Sequence, residues 1–130
     1  MPSINPNIIN EKRVNVRYTL PLILCINTKG ENGDHLCNIS KGGACFQSPV
    51  IFNIDDFVLL HFSAGEESPI EDVKFSLVGK ITRVDDKEGD LFKYGAKFEI
   101  YSDPFSEEQY SKMVSGVNRF AAVSSEYRVN

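Results

Sequence analysis

The sequence predicts a β-rich domain, a six-stranded antiparallel β-barrel closed by a C-terminal α-helix. Three observations predict it. Short apolar-alternating segments recur between clusters of turn-forming residues, the signature of a small all-β unit. No strand–helix alternation appears, which excludes a doubly wound parallel sheet. A single amphipathic stretch follows the last of these segments near residue 104.

The elements follow in order. Residues 1–10 hold two prolines and three asparagines and are expected to form a flexible arm. The domain proper is expected over residues 11–121. From Tyr18 to Thr28, Leu20, Leu22, Leu24 and Ile26 alternate on one face. Pro21 cannot donate to a ladder and suits an edge or a strand start. Lys29–Asp34 is a turn, and a second strand follows over His35–Ile39. The Ser40–Gly43 turn leads into a third strand at Ala44–Gln47. Phe57–Phe62 is a short buried strand. Val73–Val84 is a long one, with Val73, Phe75, Leu77, Gly79 and Ile81 on one face. Leu91–Tyr101 is the sixth, with Gly95 as a bulge or a point of close approach.

The terminal helix is expected over about 106–120. Ser106 as N-cap with Gln109 three residues on makes a capping box, and Glu107 and Glu108 complement the helix dipole. Tyr110, Met113, Val114, Val117 and Ala121 form its apolar stripe. Residues 122–130 lack periodicity and are expected to be a flexible tail.

Composition bounds the function. The chain has 130 residues, 42% of them hydrophobic and 25% charged, which suits one globular domain. No apolar run is long enough for a membrane span, and no secretory signal opens the chain, so a cytoplasmic protein is expected. The net charge is −4, from 14 basic and 18 acidic residues. That argues against general DNA or RNA affinity. The basic charge is uneven, however: Lys12, Arg13 and Arg17 lie within six residues. Such a patch on an acidic protein suits a small anion better than a polymer.

Catalytic and metal patterns are missing from the sequence. Cys25, Cys37 and Cys45 lack metal-ligand spacing and read as buried thiols. His35 and His61 have no nucleophile or acid pattern around them. Asp55-Asp56 and Asp85-Asp86 read as turns. The nine Phe and five Tyr read as core residues. No enzyme, no metal and no cofactor are expected.

Two short motifs remain. Arg13 and Arg17 form an R-x-x-x-R pair. In extended chain their bases stand about 13 Å apart on one face, able to bracket a ligand. The guanidinium fork binds phosphate bidentately and matches the O6 and N7 acceptors of guanine. Taken alone, two arginines before a strand are also what a solvated surface looks like. The second motif, Asn38-Ile39-Ser40-Lys41-Gly42-Gly43, is N-x-S-x-x-G. It reads first as a hairpin turn, with Asn and Ser bonding nearby backbone and glycine accepting positive φ. Such a turn also offers Asn38 to a base edge, Ser40 to a phosphate oxygen, and a glycine where a flat ring can approach.

The order and spacing of the two motifs raise their weight. The pair precedes the first strand and the turn follows the second. This arrangement resembles the PilZ domain family, as do Gly79–Val84 and Tyr94–Phe98, which look like that family's late strand pair. The resemblance covers residues 11 to about 120. It implies a cyclic di-GMP receptor, with Arg13 and Arg17 holding phosphates and guanine faces, Asn38 and Ser40 contacting guanine or phosphate, and Gly43 admitting the ligand. Asn38 stands where aspartate is commoner. Lys12 adds a third cation, which bears on whether one ligand or an intercalated pair binds. Signalling would then pass to a downstream protein partner. The alternative is a PilZ-like protein–protein adaptor that acts independently of nucleotide. A phosphodiesterase would need acidic metal ligands that the sequence does not space suitably.

Overall fold

A computed structural model of the chain describes residues 16–27 and 33–129. The arm and the N-terminal part of the arginine motif, Lys12 and Arg13 included, lie outside the described residues. The expected barrel is present. Its strands are β1 (Leu22–Ile26), β2 (His35–Ile39), β3 (Gly43–Ser48), β4 (Phe57–Ala64), β5 (Lys74–Glu88) and β6 (Leu91–Glu99). They form one antiparallel sheet in the order β1-β4-β5-β6-β3-β2. A helix, α1 (Pro104–Val123), and a short 3₁₀ turn (Ser125–Tyr127) follow.

The sheet curls until its outer strands β1 and β2 meet, so the barrel is nearly closed. Two devices join the edges. Before β1, Tyr18 exchanges backbone hydrogen bonds with Ile39 at the end of β2, at 2.8 and 2.9 Å. At the other end, one Asp34 carboxylate oxygen accepts from the Ile26 N–H at 3.1 Å and the other from the Ser48 hydroxyl at 2.6 Å. Both edges therefore find partners for donors that would otherwise template association.

Period-two alternation fills the barrel. Leu20, Leu22, Leu24 and Ile26 point inward with Phe46, Leu60, Phe62, Phe75, Leu77, Ile81 and Phe98. Phe62 stacks on Phe75 with ring centroids 4.8 Å apart and meets Phe98 edge-on. Tyr94 is fully buried, and its hydroxyl is satisfied twice. It donates to the Val50 carbonyl at 2.8 Å and accepts from the Phe52 N–H at 3.0 Å. That pair of bonds pins the β3–β4 connection to the core.

The first strand is shorter than its hydrophobic pattern suggests: it begins at Leu22, after Pro21, which has no N–H to give a ladder. The expected irregularity at Gly95 lies in its partner: β5 bulges between Ile81 and Arg83, opposite Ala96 and Gly95. A second bulge lies in β2 between Leu36 and Asn38.

The helix differs from expectation at both ends. Asp103, not Ser106, is the N-cap, with extended backbone (φ −138°, ψ 154°) and Pro104 at the first helical turn. The reason is proline chemistry: Pro favours the first helical position and pushes the residue before it out of the helical region. The Asp103 carboxylate accepts from the Ser106 N–H at 2.8 Å and the Ser106 hydroxyl at 2.9 Å. These bonds, the backbone one foremost, hold its carboxyl below the usual carboxylate range. Gln109 takes no part in a capping box. It is buried, and its side-chain oxygen accepts from the Ser76 N–H of β5 at 2.8 Å. The buried face runs through Met113, Gly116, Val117 and Phe120; Tyr110 and Val114 flank it.

The expected loose tail is docked instead. Thr19 N–H donates to the Tyr127 carbonyl at 2.7 Å, and Val129 N–H donates to the Arg17 carbonyl at 2.8 Å. The Tyr127 ring meets Phe120 edge-on at 5.6 Å. Backbone pairing and an aromatic contact thus supply order that no sequence periodicity announces. Among the described residues no helix is long and apolar enough to cross a membrane.

Candidate functional site

The site assembles around the Tyr18–Ile39 backbone pair. Residues 17–19 form a short extended piece held on one side by the end of β2 and on the other by the C-terminal tail. Tyr18 packs against the core, and alternation turns its neighbour Arg17 outward, where it is exposed. The antiparallel pairing sets Arg17 beside the corner that carries Asn38 and Ser40.

The two motifs touch there. Arg17 Nη1 donates to Asn38 Oδ1 at 2.9 Å, across 21 positions of sequence. Asn38 is neutral, so this bond orients the guanidinium without cancelling its charge. An aspartate in the same place would form an ion pair and offset part of that field. The cation therefore remains fully available to an anion, while the remaining faces of its fork keep their donors.

Asn38 faces outward because of the β2 bulge. Leu36 pairs with Phe46 and Ile39 with Ala44, all on the inner or partly covered face, while Asn38 pairs with Cys45. One extra residue, Cys37, is accommodated between them. Both Cys37 and Asn38 then oppose the single residue Cys45 from the outer side.

Ser40 and Gly43 build the turn. Ser40 N–H donates to the Gly43 carbonyl at 2.8 Å. The Ser40 hydroxyl accepts from the Gly42 N–H at 3.2 Å and lies 3.4 Å from the Gly43 carbonyl. Ser40 is 5% exposed. Its hydroxyl, expected as an open donor, is taken up by its own turn in this structure. Gly43 has a packing reason of its own: a Cβ there would collide with the Ala96 carbonyl oxygen of β6. Phe98 N–H ties β6 to the Gly42 carbonyl at 2.9 Å. The glycines let β3 lie close on β6 and hold the corner rigid. Lys41 sits half-buried at its tip.

The outer face continues the site in residues that the sequence motifs do not single out. Register aligns Asn38, Cys45, Gly95 and Arg83 across β2, β3, β6 and β5. Gly95 contributes no side chain, and Arg83 occupies the space, its guanidinium carbon 3.4 Å from where a Gly95 Cβ would stand. Arg83 Nε donates to Asp85 at 3.2 Å and Nη2 reaches Cys45 Sγ at 3.7 Å. One register step away, Lys97 pairs with Gly43 on one side and Lys80 on the other. Arg17 and Arg83 thus stand at opposite ends of one outward-facing row of residues, with Lys97 one register step away; Arg83 is paired with Asp85 and Lys80 with Asp55. Only strand register brings these residues together, which is why sequence spacing does not signal them.

Among the described residues no group of three or more His, Cys, Asp or Glu side chains could hold a metal ion. No curated protein shows significant similarity to the chain. A family model, that of the PilZ domain, matches residues 11–114 and so spans both motifs and all six strands. With the barrel, the trailing helix and the Arg17–Asn38 junction in place, the match over most of its length makes the chain a member of the PilZ domain family.

Proposed function

We propose that this chain is a receptor for cyclic di-GMP that binds on the outer face beside Arg17 and Asn38. PilZ domains are a cyclic di-GMP receptor family, and both motifs associated with that binding stand intact. The observation that carries the reading is the 2.9 Å bond from Arg17 to Asn38, which unites the motifs on one surface. Arg17 and Arg13 hold phosphate and guanine edges through their forks. Asn38 meets a base edge, Gly43 keeps the corner flat, and Ser40 contacts phosphate after its hydroxyl rotates within the turn. Lys12 adds a further positive charge to the arginine motif.

Binding changes conformation through the segment at residues 17–19. The ligand engages the Arg17 side chain, and the Arg17 carbonyl links that segment to Val129 and hence to the C-terminal tail. A partner protein then reads the altered surface. Titration with cyclic di-GMP, with cyclic di-AMP as control, tests this. Saturable binding that favours the guanine dinucleotide supports the reading; equal binding of the two removes the guanine contacts from it.

A nucleotide-independent adaptor is the second reading. It is favoured by exposed apolar side chains on the β4 side of Lys80, among them Phe57 at 60% and Ile54 at 54% exposure. Recovery of the same partner with and without nucleotide would support it.

A further inference from the structure

Cys37 and Cys45 lie beside Asn38 without any role in the proposed nucleotide contacts. The β2 bulge places Cys37 and Asn38 together against Cys45, on the outer face. In the ladder Cys45 pairs with Asn38, and Cys37 is the extra residue beside it. The Cys37 and Cys45 side chains lie within hydrogen-bonding reach of each other, and a disulfide between them requires Cα atoms roughly 4.4–6.8 Å apart. Both cysteines are thiols in this structure. Cys37 is half-buried and reachable, whereas Cys45 is 3% exposed beneath Arg83.

We infer that Cys37 and Cys45 are a redox-responsive pair, and that closing a disulfide between them reshapes the bulge and withdraws Asn38 from Arg17. The regulatory part of this inference rests on the proposed nucleotide site; the disulfide and the movement of Asn38 do not.

The oxidant is a peroxide. The Cys37 thiolate attacks one peroxide oxygen, the O–O bond breaks, and hydroxide leaves to be protonated to water. Cys37 is then a sulfenic acid. The Cys45 sulfur attacks the Cys37 sulfur, the S–S bond forms, the S–O bond breaks, and a second water departs. Two thiols lose two electrons and two protons in all, and the peroxide gains them. Accessibility assigns Cys37 to the first attack and Cys45 to the second. Arg83 Nη2, 3.7 Å from Cys45 Sγ, places a cation where negative charge develops during exchange. Burial, with Cys45 adding charge and a hydrogen bond, pushes the Cys37 thiol up. Its thiolate is scarce at neutral pH, so the first step quickens as pH rises.

Asn38 is coupled because it shares the bulge. A bulge is defined by where the extra residue sits, and a covalent link at Cys37 fixes that residue against Cys45. Shortening the sulfur–sulfur separation from hydrogen-bonding distance to the roughly 2.05 Å of a disulfide shifts the Cys37 backbone, and the adjoining Asn38 amide turns with it and gives up its bond to Arg17.

The test treats the full chain with hydrogen peroxide and maps the products by alkylation and peptide mass. The side-chain amide resonance of Asn38 is followed in parallel, and cyclic di-GMP affinity is measured before oxidation, after it, and after thiol reduction. Oxidation should give a Cys37–Cys45 linked peptide and a shifted Asn38 resonance. Affinity should fall about tenfold, equivalent to losing one charge-assisted hydrogen bond, and recover on reduction. Cys37→Ser should abolish the response, whereas Cys25→Ser should retain it. Failure to form the link, or a link that leaves the Asn38 resonance unmoved, overturns the inference. A link and a shifted resonance with unchanged affinity overturn its regulatory part. If the reduced protein binds no cyclic di-GMP, the nucleotide reading fails, while the link and the resonance still decide the thiol pair.

Discussion

The backbone carbonyl of Arg17 accepts a hydrogen bond from the Val129 N–H at 2.8 Å, so the arginine motif and the C-terminal end of the chain share one short strand pair. With Thr19 bonded to Tyr127 and Tyr18 to Ile39, residues 17–19 are fixed from both sides. Removing the tail contact frees this segment to fray. Tyr127→Ala keeps the backbone carbonyl but strips the edge-on contact with Phe120 that seats the tail, and should weaken cyclic di-GMP binding by about 1 kcal/mol, the cost of fixing roughly one more residue. Calorimetry on the variant checks this; undiminished affinity would mean that the tail does not order the site.

The arginines carry the largest expected effect. Arg17→Ala should cost about 1.5–3 kcal/mol of binding, the range for hydrogen bonds to charged groups. Arg13→Ala should behave alike. Arg17→Lys should rescue little, since an ammonium cannot offer a planar fork. Thermal melting should scarcely change in either Arg17 variant, because the side chain is exposed. A binding loss accompanied by unfolding would point to a structural role instead.

Gly43 separates packing from recognition. Gly43→Ala drives a methyl group into the Ala96 carbonyl. Overpacking of this kind costs about 1–3 kcal/mol, read from the shift of a urea midpoint. A variant of unchanged stability would show that β3 and β6 tolerate separation at the turn.

Acid should loosen the helix. Asp103 is held below the usual carboxylate range by the Ser106 bonds, its backbone N–H first. Asp72 is held low chiefly by the Arg119 side chain, which grips it at 2.8 and 3.2 Å. A carboxyl whose pKa is depressed by folding stabilises the native state above its unfolded pKa, and that contribution is lost as pH falls through the folded value. The melting temperature should therefore drop as pH falls from about 6 to about 3, across the ordinary carboxylate range and below it. Asp72→Asn combined with Asp103→Asn should flatten that drop. An identical pH slope in the double variant would refute the assignment.

Much of this was legible in the sequence because it depends on local alternation. The inward series Leu20, Leu22, Leu24, Ile26 and the stretch from Val73 to Ile81 announce their strands, and hairpin-rich order announces the barrel. The helix start is not legible because Ser106 and Gln109 imitate a capping box, while the Asp103-Pro104 step dominates. The docked tail is not legible because backbone pairing leaves no hydrophobic period. In the site, Arg17, Asn38, Ser40 and Gly43 were visible as motif residues, and the structure places them at one corner. Their individual duties were less visible: Ser40 and Gly43 shape the turn through contacts with Gly42 and Ala96 that only the folded hairpin defines. Arg83 and Lys97 were hidden, since four-strand register alone aligns them with Asn38.

The central claim is that Arg17 and Asn38 jointly form one nucleotide-binding surface. Calorimetric titration with cyclic di-GMP at low salt, on the natural chain and on Arg17→Ala, Asn38→Ala and the double variant, tests it most directly. The natural chain should bind saturably, each single variant should lose affinity, and the double variant should lose less than the sum, as expected for groups in contact. No binding by the natural chain, or strictly additive losses, would contradict it.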